Sequence, residues 1–202
     1  MDLLTAHKVA TRQFDRRVRL IRDDQWANTT PCTEWTVRDL VNHLVYEQLW
    51  VPDLLAGKTV ADVGDAYDGD VLGADPVGAW SAASTAARDA WTGPGVRDRS
   101  VHLSYATVPA DEYLWQMVVD LTVHAWDLAR GIGDDDEMPN DLTGEVVAMV
   151  RQHRDELTGS GLFAAPLETS ACTDDLTELL ALLGRARWKK FQPVAAADLL
   201  RR

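Results

Sequence analysis

The sequence predicts an all-α protein, built as a four-helix bundle with long connections. Apolar residues recur every three to four positions in four long segments, which is the spacing of amphipathic helices. Helix-capping residues begin two of these segments, and glycines follow three of them. The chain has 202 residues, of which 46% are hydrophobic, and it shows no repeats or linkers. That length and composition suit one domain with a sizeable core.

The first two predicted helices flank a polar loop. The spacing predicts a helix over residues 3–24, a loop over 25–34 and a second helix over 37–55 that ends before Gly57. Thr36 is the expected N-cap of the second helix, with Asp39 at the capping-box position. His43 then falls in the middle of an apolar stripe.

The next segments lead to the central helix. Residues 58–75 are rich in Asp and Gly and predict a surface connection, and a third helix over 76–91 follows Asp75 as its cap. Residues 100–108 alternate apolar and polar side chains, which is typical of a short strand, an extended edge or a short β-hairpin. The central helix is expected from Asp111 until Gly131 and Gly133 end it.

The C-terminal part is predicted to be less regular. The acidic run 134–137 indicates a solvated loop, residues 142–157 a further helix, and residues 174–183 a short helix that caps the bundle. We expect the bundle to span residues 1–185 and residues 186–202 to form a tail rather than a separate domain.

The central helix carries an acidic residue on its apolar side. Asp120 and His124 are four residues apart, so they share one helix face beside the apolar stripe. Acidic side chains are rarely buried without a partner. Asp120 therefore either pairs with His124 or an arginine of a neighbouring helix, or binds a divalent metal together with His124 and a third ligand.

Composition excludes several classes of function. The net charge of −12 argues against nucleic acid and anionic membrane surfaces as partners. No apolar run reaches the length of a membrane-spanning helix, and the N-terminus lacks the pattern of a signal peptide. Cys32 and Cys172 form neither a disulfide framework nor a zinc ribbon. We therefore expect a cytoplasmic protein.

Three segments together resemble a known family. They are TPCTEWTVRDLVNHLV (residues 30–45), DLTVHAWDLARGIG (120–133) and GLFAAPLETSACTDDLTELLALLGR (161–185). The combination is similar to the DinB-like metal-binding four-helix bundles, in the branch of the N-terminal domain of mycothiol-dependent maleylpyruvate isomerase. The resemblance covers about residues 5–185 and implies the fold more specifically than a reaction.

The resemblance also implies a metal site. Its ligands are a histidine of the second helix and a carboxylate and a histidine of a later helix, which match His43, Asp120 and His124. The isomerase has Glu where this chain has the shorter Asp120, and it carries a further C-terminal domain for which too few residues remain here. Both departures argue against transferring the isomerase activity directly.

Two imidazoles and one carboxylate are a ligand set of catalytic zinc, although nickel and iron also accept these ligands. A thiol bound to such a metal loses its proton at neutral pH, whereas a bound water would support hydrolysis. Members of the family are expected to use low-molecular-weight thiols for S-transfer or isomerisation.

Other residues near the motifs have two interpretations each. Glu47 and Asp127 either orient the histidines or are solvated acids, and Arg130 either holds an anionic substrate or thiol cofactor or stabilises the helix C-terminus. Cys32 is a fourth ligand or nucleophile, or more simply a packing residue. Four tryptophans flank the motifs and line either a pocket or the core: Trp35, Trp50, Trp115 and Trp126.

Three functions fit these observations. The first is a metal-dependent transferase or isomerase that activates a thiol such as mycothiol. The second is a non-catalytic metal- or small-molecule-binding bundle in stress response, and the third is metal-dependent hydrolysis. We expect a small-molecule or thiol partner, and a homodimer is compatible with the sequence.

Overall fold

A computed structural model of the protein describes residues 1–155, 157, 163–169, 173–187, 191 and 193. Four long helices form the bundle: α1 (Leu3–Val18), α2 (Val37–Leu55), α4 (Pro76–Trp91) and α5 (Ala110–Ile132). A short helix, α3 (Val60–Val63), lies in the connection between α2 and α4. Two further helices, α6 (Asn140–Gln152) and α7 (Asp175–Leu182), follow α5.

The bundle is held together by two main helix pairs. Helix α1 packs most extensively on α5, and α2 packs most extensively on α4. Contacts of α1 with α4 and of α2 with α5 close the bundle, while α6 and α7 pack on each other beside it. The larger hydrophobic core includes Phe14, Leu44, Trp80 and Leu121, all of which are fully buried.

The local sequence signals explain where α2 and α4 begin. Thr36 accepts from the backbone N–H of Asp39, and Asp39 accepts from that of Thr36, which confirms the predicted capping box. The Asp75 side chain caps α4 by accepting from the backbone N–H of Gly78, with Pro76 as the first helical residue.

A two-stranded antiparallel hairpin precedes α5. Its strands are β1 (Ser100–His102) and β2 (Thr107–Pro109), with Val101 opposite Val108. The alternating pattern in this segment therefore forms a hairpin rather than a single strand. Helix α5 starts directly after β2 and ends at Ile132. The left-handed backbone of Gly133 terminates it as predicted, whereas Gly131, also predicted to end the helix, lies within it.

Helix α1 is shorter than the predicted span of residues 3–24. It ends at Val18, and the chain then turns across the end of α5. The Gln25 side-chain amide donates to the carbonyl of Ile132, and that of Asn28 donates to Gly131. These bonds satisfy carbonyls at the C-terminus of α5, which explains why polar residues take over here from the helical pattern.

Residues 134–137 form a loop as predicted, with Asp135 and Glu137 exposed, but arginines also hold this run in place. Asp134 pairs with Arg16, and the carbonyls of Asp135 and Glu137 both accept from Arg17. Arg17 is fully buried, and this burial lowers its pKa to about 10. The acidic run thus anchors the α5–α6 connection to α1.

Most of the predicted tail, residues 186–202, lies outside the described residues, as does Cys172. Helix α7 matches the predicted short helix to within one residue at each end, with Asp174 as its N-cap. Among the described residues, no helix is both long and apolar enough to cross a membrane.

Candidate functional site

The three predicted metal ligands meet between α2 and α5. His43 projects from α2, and Asp120 and His124 project from successive turns of α5. The His43 Nε2 atom is 3.3 Å from Asp120 Oδ2, and the His124 Nε2 atom is 3.3 Å from Asp120 Oδ1. One ligand atom from each of the three residues lies within 4.8 Å of the others.

The spacing of these atoms can be compared with that of metal ligands. A normal N–H···O hydrogen bond is about 2.9 Å long, whereas two ligands of tetrahedral zinc, each about 2.1 Å from the metal, lie about 3.4 Å apart. Within the described structure, the buried Oδ2 atom of Asp120 has no hydrogen bond of good geometry. The three side chains thus offer ligand atoms at separations that are compatible either with a shared cation or with pairing among themselves.

The electrostatics of the site favour a positive charge beside Asp120. Burial opposes the charge on His124, but Asp120 and Asp127 outweigh burial and raise its pKa to about 9. The pKa of Asp120 is held well below its usual range by the two histidines, although burial alone would raise it. A positive charge, from a proton or a metal ion, is therefore strongly favoured here.

Asp127 orients His124. Its carboxylate is fully buried, and Oδ2 lies 3.0 Å from His124 Nδ1. Arg185 donates to the same oxygen over 3.0 Å. In a neutral His124 that donates Nδ1–H to Asp127, the lone pair of Nε2 faces Asp120, which is the arrangement of a metal-binding histidine. The interpretation of Asp127 as a solvated acid is thus wrong, whereas its predicted contact with His124 is confirmed.

Arg185 was not predicted from the sequence. It follows α7 and lies 58 residues from Asp127 in the chain, so no local spacing connects the two. Only 9% of Arg185 is exposed, and burial by itself would lower its pKa, but the charge of Asp127 outweighs burial and raises the pKa of this arginine above its usual value. The sole sequence signal is an arginine directly after an apolar helix and Gly184.

Glu47 lies one turn beyond His43 on α2. No hydrogen bond joins it to His43 in the described structure, so the predicted orienting role has no supporting contact. Its surroundings are nevertheless not those of a solvated acid, because burial, followed by the charge of Asp120, raises its pKa to about 7.

The loop before α2 covers the histidines. The Trp35 ring lies 4.8 Å from the His43 ring and 5.6 Å from the His124 ring, measured between centroids. Cys32 offers its sulfur within 4.8 Å of ligand atoms of His124 and Asp127. Burial and the charge of Asp127 raise the Cys32 pKa to about 11, so its thiol stays protonated at neutral pH. This state suits packing rather than a nucleophile.

Arg130 lines a separate cavity of about 630 Å³. Its guanidinium pairs with Asp136 at 2.7 Å and lies 5.5 Å from the Trp126 ring. The three metal-ligand candidates do not line this cavity, but Trp35 does. The structure thus places Arg130 beside a neighbouring cavity and not among the ligands.

The four tryptophans beside the motifs divide between the cavity and the hydrophobic cores. Trp35 and Trp126 line the cavity, whereas Trp50 and Trp115 are buried in the cores. The other three histidines are core or surface residues outside the described metal-binding groups: His7, His102 and His153.

Comparison with known proteins gives one consistent result. The family profile for the mycothiol maleylpyruvate isomerase N-terminal domain matches residues 7–129. Two uncharacterized proteins of Mycobacterium tuberculosis, from two strains, are each 30% identical over 155 residues, which cover 75% of this chain and 79% of theirs.

Solved structures give the same result for the fold. A crystal structure of the mycothiol-dependent maleylpyruvate isomerase is 17% identical, has a TM-score of 0.59, and aligns over 78% of this chain and 73% of its own. A histidine-to-alanine mutant of that isomerase gives a TM-score of 0.61 at 17% identity, over 82% of this chain and 74% of its own. These similarities confirm the predicted DinB-like helical bundle.

Proposed function

Because the chain belongs to the mycothiol maleylpyruvate isomerase N-terminal domain family, we propose that it is a divalent-metal enzyme that activates a low-molecular-weight thiol such as mycothiol. The reaction class we propose is S-transfer or isomerisation. The observation that carries this proposal is the convergence of His43, Asp120 and His124, with their ligand atoms at the spacing of a metal site.

We assign His43, Asp120 and His124 as the ligands. Zinc suits two imidazoles and one carboxylate, and nickel and iron accept the same set. The bound metal would supply a positive charge that lowers the pKa of a thiol at the site. Protein residues supply the rest: Asp127 holds the Nδ1 proton of His124, and Arg185 keeps Asp127 ionised and in place.

The burial of the ligands suggests where a thiol enters. The His124 side chain is 6% exposed, whereas those of His43 and Asp120 are 26% and 22% exposed. Trp35 covers both imidazole rings and excludes water there. A thiol would therefore approach from the side of His43 and Asp120, where Glu47 also lies.

Metal content is the first test. Untagged protein is analysed for metals beside His43→Ala and His124→Ala, with His102→Ala as a control outside the site. We expect about one equivalent of metal in the parent and the control and a loss in both site variants. A parent protein that stays metal-free after incubation with zinc, nickel and iron would refute the proposal.

Thiol dependence is the second test. Cobalt-loaded protein is titrated with mycothiol while the visible absorption of cobalt is followed. We expect a sulfur-to-cobalt charge-transfer band that saturates with thiol and is missing when the thiol is S-methylated. An unchanged spectrum would exclude thiol activation and favour a non-catalytic metal-binding bundle.

A further inference from the structure

The cavity beside Trp35 has the size and lining of a small-molecule site. Its volume of about 630 Å³ lies within the range of pockets that enclose small ligands. Three aromatic side chains contribute to its wall: Trp35 from the loop before α2, Trp126 from α5, and Phe191. Flat aromatic surfaces of this kind favour a ring-shaped ligand.

The charged groups of the cavity favour an acceptor of hydrogen bonds. Two arginines line it, Arg130 and Arg185. The Arg130 guanidinium pairs with Asp136 at 2.7 Å and lies 5.5 Å from the Trp126 ring and 5.9 Å from the Phe191 ring, and Arg185 pairs with Asp127. Trp126 is only 2% exposed, and its indole N–H has no acceptor within the described structure. The acid in the lining, Glu34, is exposed to solvent. A buried N–H donor beside a guanidinium suits an anionic, oxygen-bearing group as its partner.

We propose that this cavity binds a small aromatic carboxylate. The ring of the ligand packs against Trp35 and Trp126, and its carboxylate is held by Arg130. This site is distinct from the three metal-ligand candidates, none of which lines the cavity.

Ligand binding in the cavity affects the two histidines through Trp35. This side chain forms part of the cavity wall and also contacts the rings of His43 and His124. A ligand that packs on Trp35 fixes the position of the indole and so changes the surroundings of both imidazoles. The cavity thereby adjusts the site that the proposed function uses, although binding in the cavity itself needs no metal.

Calorimetric titration of the metal-free full chain with benzoate tests the site. We expect saturable binding that is at least about tenfold weaker for benzamide, which lacks the charge, and for the Arg130→Gln variant. Cyclohexanecarboxylate tests the aromatic requirement and is also expected to bind more weakly. Arg151→Gln removes an exposed, paired arginine elsewhere and is expected to leave binding unchanged.

Three results would overturn the proposal: no benzoate binding, equal binding by Arg130→Gln, or a preference for a neutral polyol such as inositol over benzoate. Because the titration uses metal-free protein, it succeeds or fails independently of the metal and thiol tests.

Coupling through Trp35 is tested by proton NMR of the histidine ring signals in the same metal-free protein. We expect benzoate to shift the signals of His43 and His124 in the parent and in Trp35→Phe, which keeps a ring. The shift should be lost in Trp35→Leu, with circular dichroism used to check its fold. Histidine signals that stay unchanged at saturating benzoate would refute the coupling.

Discussion

Replacement of Asp127 by asparagine tests the buried contacts behind the metal site. Asp127 is fully buried between His124 and Arg185, each at 3.0 Å. The Asp127→Asn change keeps the size of the side chain but leaves the Arg185 charge without a counter-ion. Breaking a buried pair in this way costs about 3–5 kcal/mol, and we expect the lower end because the amide oxygen still accepts a bond.

The same variant should weaken metal binding. Loss of a carboxylate that orients a ligating histidine reduces metal affinity about 10–100-fold, which corresponds to about 1.4–2.8 kcal/mol. Urea unfolding of the metal-free protein, followed by circular dichroism, measures the first effect. Competition with a chromogenic zinc chelator measures the second.

Asp111→Asn is the matched control. Asp111 lies on the same helix and also pairs with an arginine, Arg97, but the two side chains are 47% and 39% exposed. An exposed pair is worth less than about 1 kcal/mol, and no effect on zinc is expected. Equal losses of stability in Asp127→Asn and Asp111→Asn would refute the reasoning from burial.

Three further predictions concern the core. His7 is 2% exposed, and burial lowers its pKa to about 4. The unfolded chain gains this proton near pH 6.5, so His7 supports stability above that pH, and we expect about 2 kcal/mol to be lost between pH 7 and pH 5. Urea unfolding of His7→Gln at both pH values should lack this loss of stability. If the parent and His7→Gln show the same pH dependence, the prediction is wrong. Gln48 is fully buried, and neither amide atom is hydrogen-bonded in the described structure. Gln48→Leu should therefore raise the free energy of unfolding by about 1 kcal/mol. A decrease in the free energy of unfolding would show that the amide has a partner in the folded protein. A Cβ on Gly131 would lie 3.0 Å from Val37 Cγ2, so Gly131→Ala should lower the Tm. In the control Gly144→Ala, the added Cβ meets only a carboxylate oxygen at 3.2 Å, and the Tm should not fall. Equal Tm changes in the two variants would show that the residues around Gly131 move to accommodate the methyl group.

The helices that were predicted best have their signals close together in the sequence. The capping box of Thr36 and Asp39 and the Asp75–Pro76 start needed only neighbouring residues, and both starts are confirmed. The end of α1 was predicted too late because it depends on Gln25 and Asn28 reaching the carbonyl groups of α5, more than 100 residues away.

The sequence by itself determined that Asp120 and His124 face the same side, since helical periodicity relates residues four apart. It also predicted His43 as their companion through a family resemblance. Only the tertiary structure decided that Arg185 meets Asp127, that Trp35 covers both imidazoles, and that Arg130 lines a separate cavity. Those contacts depend on how helices and loops pack in space. A local pattern fixes the direction of a side chain on its own helix, but not which distant residue it will touch.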